Sequence, residues 1–93
     1  MEPFSVKLEG KKLKITNNLN EKVIIIEISL KYYVTVNMID EKLGLRKLTE
    51  SIKVDKEIGN NETLEITTKL EDISEISIVY KQGDIVKRVD ISL

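Results

Sequence analysis

Residues 22–30 read KVIIIEISL and residues 31–40 read KYYVTVNMID, and the way these two stretches alternate decides the fold. In a β-strand successive side chains point to opposite faces, so a half-buried strand alternates apolar with polar residues. In the first stretch Ile24, Ile26, Ile28 and Leu30 share one face, which reads as core. Val23, Ile25, Glu27 and Ser29 share the other, and its apolar end reads as a surface covered by another element or used in assembly. In the second stretch Tyr32, Val34, Val36 and Met38 alternate with Tyr33, Thr35 and Asn37. The junction at Leu30–Lys31 lacks the Gly or Asn-Gly chemistry of a tight hairpin. Two readings stay open: the chain turns there, or the two stretches form one long strand broken by a bulge.

Strand signals separated by turn residues continue on both sides. Upstream, Phe4, Val6 and Leu8 alternate with Ser5 and Lys7, and Leu13 and Ile15 alternate with Lys12, Lys14 and Thr16. Glu9-Gly10 between them makes a hairpin, or one strand that bulges at Gly10. Asn17-Asn18-Leu19-Asn20 is the next break. Downstream, Asp40 to Gly44 reads as a hairpin turn with Gly44 at positive φ. In LRKLTESI (45–52) the apolar spacing permits one or two helical turns, but a strand or irregular crossover to Ile52–Val54 is the preferred reading. Gly59-Asn60-Asn61 is the clearest turn, followed by Leu64, Ile66 and Thr68 on one face. Residues 70–75 read as a short connection with room for one helical turn. Ile76, Ile78 and Tyr80 then alternate with Ser77, Val79 and Lys81, and Gln82-Gly83-Asp84 turns. Val89, Ile91 and Leu93 face inward on the last strand, where Ile85 and Lys87 fit this phase less well and leave room for a bulge near Val86.

Composition agrees. Ile, Val and Thr supply 14, 8 and 6 of the 93 residues, and alanine is absent. Branching at Cβ costs rotamer freedom in a helix and packs well on a pleated sheet. Short strands at regular spacing without an amphipathic helix give an all-β class: a single domain over 1–93, an antiparallel sandwich of seven or eight short strands. The stretches GKKLKITNNLNEKVIIIEI (10–28) and KEIGNNETLEITTKL (56–70) resemble the opening strand pair and a midway turn-and-strand of immunoglobulin-like and fibronectin-type-III-like modules. The resemblance is one of pattern and implies that fold; it carries over no functional residue, because such sandwiches host unrelated functions.

The chemistry open to the chain is narrow. With no histidine and no cysteine, the usual zinc, haem, iron–sulfur and Cys–His or Ser–His arrangements have no ligands or bases. Carboxylate pairs such as Glu62/Glu65 and Asp72/Glu75 show no spacing that makes them converge, and Asp40–Gly44 lacks the oxygen-ligand pattern of a calcium loop. Asn61-Glu62-Thr63 is a glycosylation sequon that matters only in an exported protein. No cofactor, metal or catalytic residue is expected, and the chain reads as a non-enzyme.

Charge is high and balanced, 15 basic against 16 acidic residues. The longest apolar run is Val23–Ile26, so neither a membrane-spanning segment nor a signal peptide is expected and the chain reads as cytoplasmic. Abundant Ile, Lys and Glu with one Gln and no Cys suit a thermophile. The favoured function is a non-catalytic protein-interaction or self-assembly module, with a protein partner or second copy meeting Val23, Ile25, Val79 and Val86. The alternatives are nucleic-acid association through phosphate contacts at Lys11, Lys12 and Lys14, and an accessory or structural protein of a virus or mobile element.

Overall fold

The computed structural model describes residues 2–37, 43–70 and 72–93, the side chains of residues 36, 37 and 43 excepted. Seven strands follow one another: β1 (Phe4–Glu9), β2 (Lys12–Asn17), β3 (Val23–Asn37), β4 (Leu43–Ile58), β5 (Thr63–Thr67), β6 (Glu75–Gln82) and β7 (Ile85–Ser92). They form two antiparallel sheets, β1-β2-β5 and β4-β3-β6-β7, packed as a sandwich. The chain changes sheet after β2, after β4 and after β5. This order is consistent with the immunoglobulin-like and fibronectin-type-III-like pattern seen in the sequence.

The two-residue hairpins follow from local chemistry. Gly10 and Gly83 take the first loop positions of β1–β2 and β6–β7 with φ of 60° and 61°, the conformation a primed turn requires and a side chain resists. A Cβ at either glycine would meet nothing within 4 Å, so the constraint is the backbone's own. Gly10 therefore marks a hairpin, not a bulge. Gly44 is no turn residue: it lies in β4 opposite Val36, and the rest of the expected Asp40–Gly44 turn falls outside the described residues. LRKLTESI lies wholly in β4 without a helical turn, and the described residues of 70–75 contain none.

The core lies between the sheets. Phe4, Leu13, Ile15 and Leu64 from the first sheet meet Val23, Ile25, Ile28, Leu30, Ile58, Ile76, Ile78 and Tyr80 from the second. The Phe4 and Tyr80 rings meet edge to face with centroids 4.8 Å apart, a geometry aromatic quadrupoles favour. One buried polar side chain ties the end of the sandwich together. The Asn17 amide, fully buried, donates to the carbonyls of Glu21 (2.9 Å), Ile58 (3.2 Å) and Gly59 (3.1 Å), and its Oδ1 accepts from the Leu19 amide (2.9 Å). A residue read as part of a loop is thus the staple between the β2–β3 connection and the end of β4.

Alternation along β3 departs from the simple reading. Ile25 pairs with Tyr80 and Glu27 with Val79, so β3 holds one residue, Ile26, that β6 lacks. On the other side Ile25 pairs with Lys56 and Glu27 with Lys53, so Val54 and Asp55 together oppose Ile26. The irregularity crosses three strands, and Asp55 accommodates it at φ 47°. A bulge of this kind shifts the inward phase by one residue. Below it Val23 and Ile25 point into the core, above it Ile28 and Leu30, while Ile24 is 39% exposed. Assigning Ile24 and Ile26 to the core is thereby corrected. No bulge occurs at Val86, because β7 pairs regularly with β6 from Ile85 to Ser92.

Above Lys31 the sandwich ends and β3 continues. β6 follows β3 only from Ile24 to Lys31, and the Ser74 amide and hydroxyl both donate to the Lys31 carbonyl, at 2.8 and 3.0 Å. Among the described residues, β3 pairs from Tyr32 to Asn37 only with β4. The two readings of the Leu30–Lys31 junction resolve as one long strand, with its bulge at Ile26. The result is a two-stranded arm standing off the body. It stretches the molecule to 53 × 26 × 24 Å with a radius of gyration of 15.2 Å, against about 12 Å for a compact chain of this length.

Candidate interaction surfaces

The four apolar positions expected to form an interface separate. Val23 and Ile25 are 1% and 0% exposed between the sheets, so the folded chain does not present them; the bulge at Ile26 is the reason. Val79 and Val86 do lie on the outer face of the second sheet, where Val79 is half-buried between Glu27 and Arg88 and Val86 is 59% exposed beside Lys81. Ile24, released from the core by the same shift, pairs with Lys81 from the other side. Lys81 therefore stands between two exposed apolar residues. Next to them an open cleft of about 330 Å³ is lined by Glu21, Lys22, Val23, Ile24, Glu57, Lys81 and Gly83. Above this end the outer face turns polar, with a Ser29–Ser51 hydrogen bond of 3.3 Å and Ser77 donating to Asp90 at 2.6 Å. That bond and the Arg88 guanidinium hold the Asp90 carboxyl below its ordinary range.

The lysine stripe is only partly free. Lys12 and Lys14 share the outer face of the first sheet, as alternation requires, and Lys11 sits in the β1–β2 turn. Lys14 Nζ lies 3.0 Å from one Glu9 oxygen and 3.8 Å from Glu65, and Lys7 Nζ lies 3.0 Å from the other Glu9 oxygen. Hydrogen bonds from Lys14 and then Lys7 pull the Glu9 carboxyl down to about 2, and the same pairing raises Lys14. The strand face is a lattice of alternating signs. Lys11 and Lys12 are exposed, while Lys14 already serves two carboxylates. Among the described residues no three carboxylates gather in a way that would hold a metal ion, and no helix is long and apolar enough to cross a membrane.

The third surface is the arm. Alternation puts Tyr33, Thr35, Leu45 and Lys47 on one face, because Tyr33 pairs with Lys47 and Thr35 with Leu45. The opposite face carries Tyr32 against Leu48 and Val34 against Arg46. Tyr32, Val34 and Leu48 are half-buried, whereas Tyr33 is 52% and Leu45 74% exposed. At the base a hollow of about 200 Å³ lies between Tyr33 and Asp72–Ser74. Residues 32–37 and 44–48 carry two cations, Arg46 and Lys47, and no carboxylate. The sequence held the signal for this surface in YYVTVN, but nothing there marks where β6 stops.

No protein-family model, curated protein or solved structure matches the chain. The functional reading therefore rests on this chain's own geometry.

Proposed function

We propose that the chain is a non-catalytic protein-interaction module whose contact element is the β3–β4 arm. The observation that carries this reading is the two-stranded ribbon continuing past the sandwich with Tyr33 and Leu45 exposed on one face. A two-stranded ribbon alone is marginal in water and gains independent stability from a third strand or a covering surface. Tyr is also among the residues that dominate binding energy once desolvated. The patch around Ile24 and Val86 supports the reading less, since scattered exposed apolar residues are common.

The test is co-purification from the native host with a tagged chain, in three forms: wild type, Tyr33→Asp with Leu45→Asp, and Ile24→Asp with Val86→Asp. The expected result is a stoichiometric protein, which includes an untagged copy of the chain itself, retained by the wild type and the Ile24/Val86 variant and lost from the arm variant. Retention by the arm variant would overturn the proposal.

A further inference from the structure

We infer that the partner of the arm is a second copy of this chain, its Tyr32–Asn37 edge added antiparallel to the same edge of the first. This deepens the arm reading and rests on it. The argument starts from how exposed strand edges are kept from pairing. Proteins place charges, proline or bulges on them, and here every other edge follows that rule. β1 carries Lys7 and Glu9 and is preceded by Pro3, β5 carries Glu65, and β7 carries Lys87 and Arg88. The long edge of β4 bears charges along its length and breaks at the Asp55 bulge. On the β6 side of β3 no described strand pairs with Tyr32–Asn37, and YYVTVN contains no charge and no proline. Its register with β4 is regular throughout. Ser74 caps this edge at the Lys31 carbonyl, and Asp72–Ser74 flank it across the hollow beside Tyr33. From Val34 on it is the one edge among the described strands with no charge, proline or bulge of its own, and the strand's aromatic and β-branched residues favour pairing.

The neutrality of the edge also bears on the partner. In strand addition the main-chain hydrogen bonds give affinity, and the side chains set opposite, charged ones among them, give specificity. This edge offers no charged side chain, leaving its backbone groups and its β propensity. An identical strand satisfies both, and a two-fold pairing of two neutral edges sets no like charges opposite each other. With the two-fold axis normal to the sheet, each face meets its own kind. The order becomes β4-β3-β3-β4, and the Tyr33–Leu45 faces of both copies form one surface across four strands. Two marginal ribbons thereby become one four-stranded sheet.

Sedimentation equilibrium of the untagged chain over a wide concentration range tests this, using wild type, Val34→Lys, Thr35→Lys and, on a different edge, Val86→Lys. Both arm substitutions lie outside the sandwich core, and far-UV circular dichroism checks that the fold is kept. The expected result is a reversible dimer for wild type and Val86→Lys, with the dissociation constant raised at least tenfold in Val34→Lys and Thr35→Lys. A monomeric wild type whose arm variant still loses a different co-purifying protein would overturn the second copy while leaving the arm as the contact element. A monomeric wild type with no arm-dependent partner would overturn both. A dimer that persists in Val34→Lys and Thr35→Lys would place association on another surface and overturn the inference.

Discussion

Replacing Asn17 by alanine removes a side chain that ties three segments together at the end of the sandwich. Its amide group has two hydrogens for three carbonyl acceptors, so the contacts to Glu21, Ile58 and Gly59 amount to about two full hydrogen bonds, with the acceptance from Leu19 a third. A typical internal hydrogen bond contributes about 1 kcal/mol net, and a buried group left unpaired costs about 1–3 kcal/mol. The Glu21 and Gly59 carbonyls and the Leu19 amide are only partly buried and regain water, whereas the Ile58 bond is buried. Asn17→Ala should therefore lose about 3–4 kcal/mol. Total stability for a chain of this size is about 5–14 kcal/mol, so the variant loses a large share of it. Urea unfolding followed by far-UV circular dichroism measures the difference, with an unchanged m-value expected. Asn17→Asp sharpens the test: it keeps the acceptor for Leu19, abolishes the donors and turns a carboxylate oxygen towards three carbonyls. It should be no more stable than Asn17→Ala. A loss below about 1 kcal/mol for alanine, or wild-type stability for Asn17→Asp, would refute the staple.

The remaining predictions address the bulge, the ion lattice and a turn. Ile25→Ala should cost about 2–5 kcal/mol as a buried large-to-small change, and Ile24→Ala less than about 1; equal losses in chemical unfolding would contradict the phase shift at Ile26. Glu9, lowered from 4.5 to about 2 by Lys14 and Lys7, binds its proton more readily unfolded than folded. Its contribution is therefore present above pH 4.5 and lost as pH falls towards about 2. A 13C NMR titration of the Glu9 carboxyl should show the low midpoint, move it upward in high salt or in Lys14→Met, and contradict the pairing if the midpoint stays in the ordinary range. Gly83→Ala, with open space for the added methyl but φ at 61°, should lower stability by about 1 kcal/mol through backbone strain alone; no change would show that the turn relaxes.

How far the sequence was legible depends on how each segment punctuates itself. From Glu27 onward the polar residues Glu27 and Ser29 mark the outer face, and alternation correctly puts Ile28 and Leu30 inside. From Val23 to Ile26 every residue is apolar, so nothing marks a face and a bulge leaves no trace. A one-residue slip exchanges every inward side chain there, which is how Val23 and Ile25 came to be expected at a surface and Ile24 in the core. Gly10, Gly83 and the Gly59–Asn61 turn were readable because positive φ leaves few residue choices, and Asn61 adopts φ 64°. The role of Asn17 was hidden, since an Asn beside two further Asn residues signals a turn whether or not its side chain is buried. The arm was half visible. Residues 31–37 alternate as a strand should, but the place where β6 stops following β3 is set by residues 72–75, far away in sequence.

The central claim is that the Tyr32–Asn37 edge is completed by a second copy, and amide hydrogen exchange across a dilution series tests it most directly. The alternate amides of Tyr32–Thr35 that point away from β4 have no partner among the described strands. Their exchange should slow as protein concentration rises, while the amides of β1 and β7 on the outer edges stay unchanged. Exchange at the unprotected rate at every concentration would contradict the account.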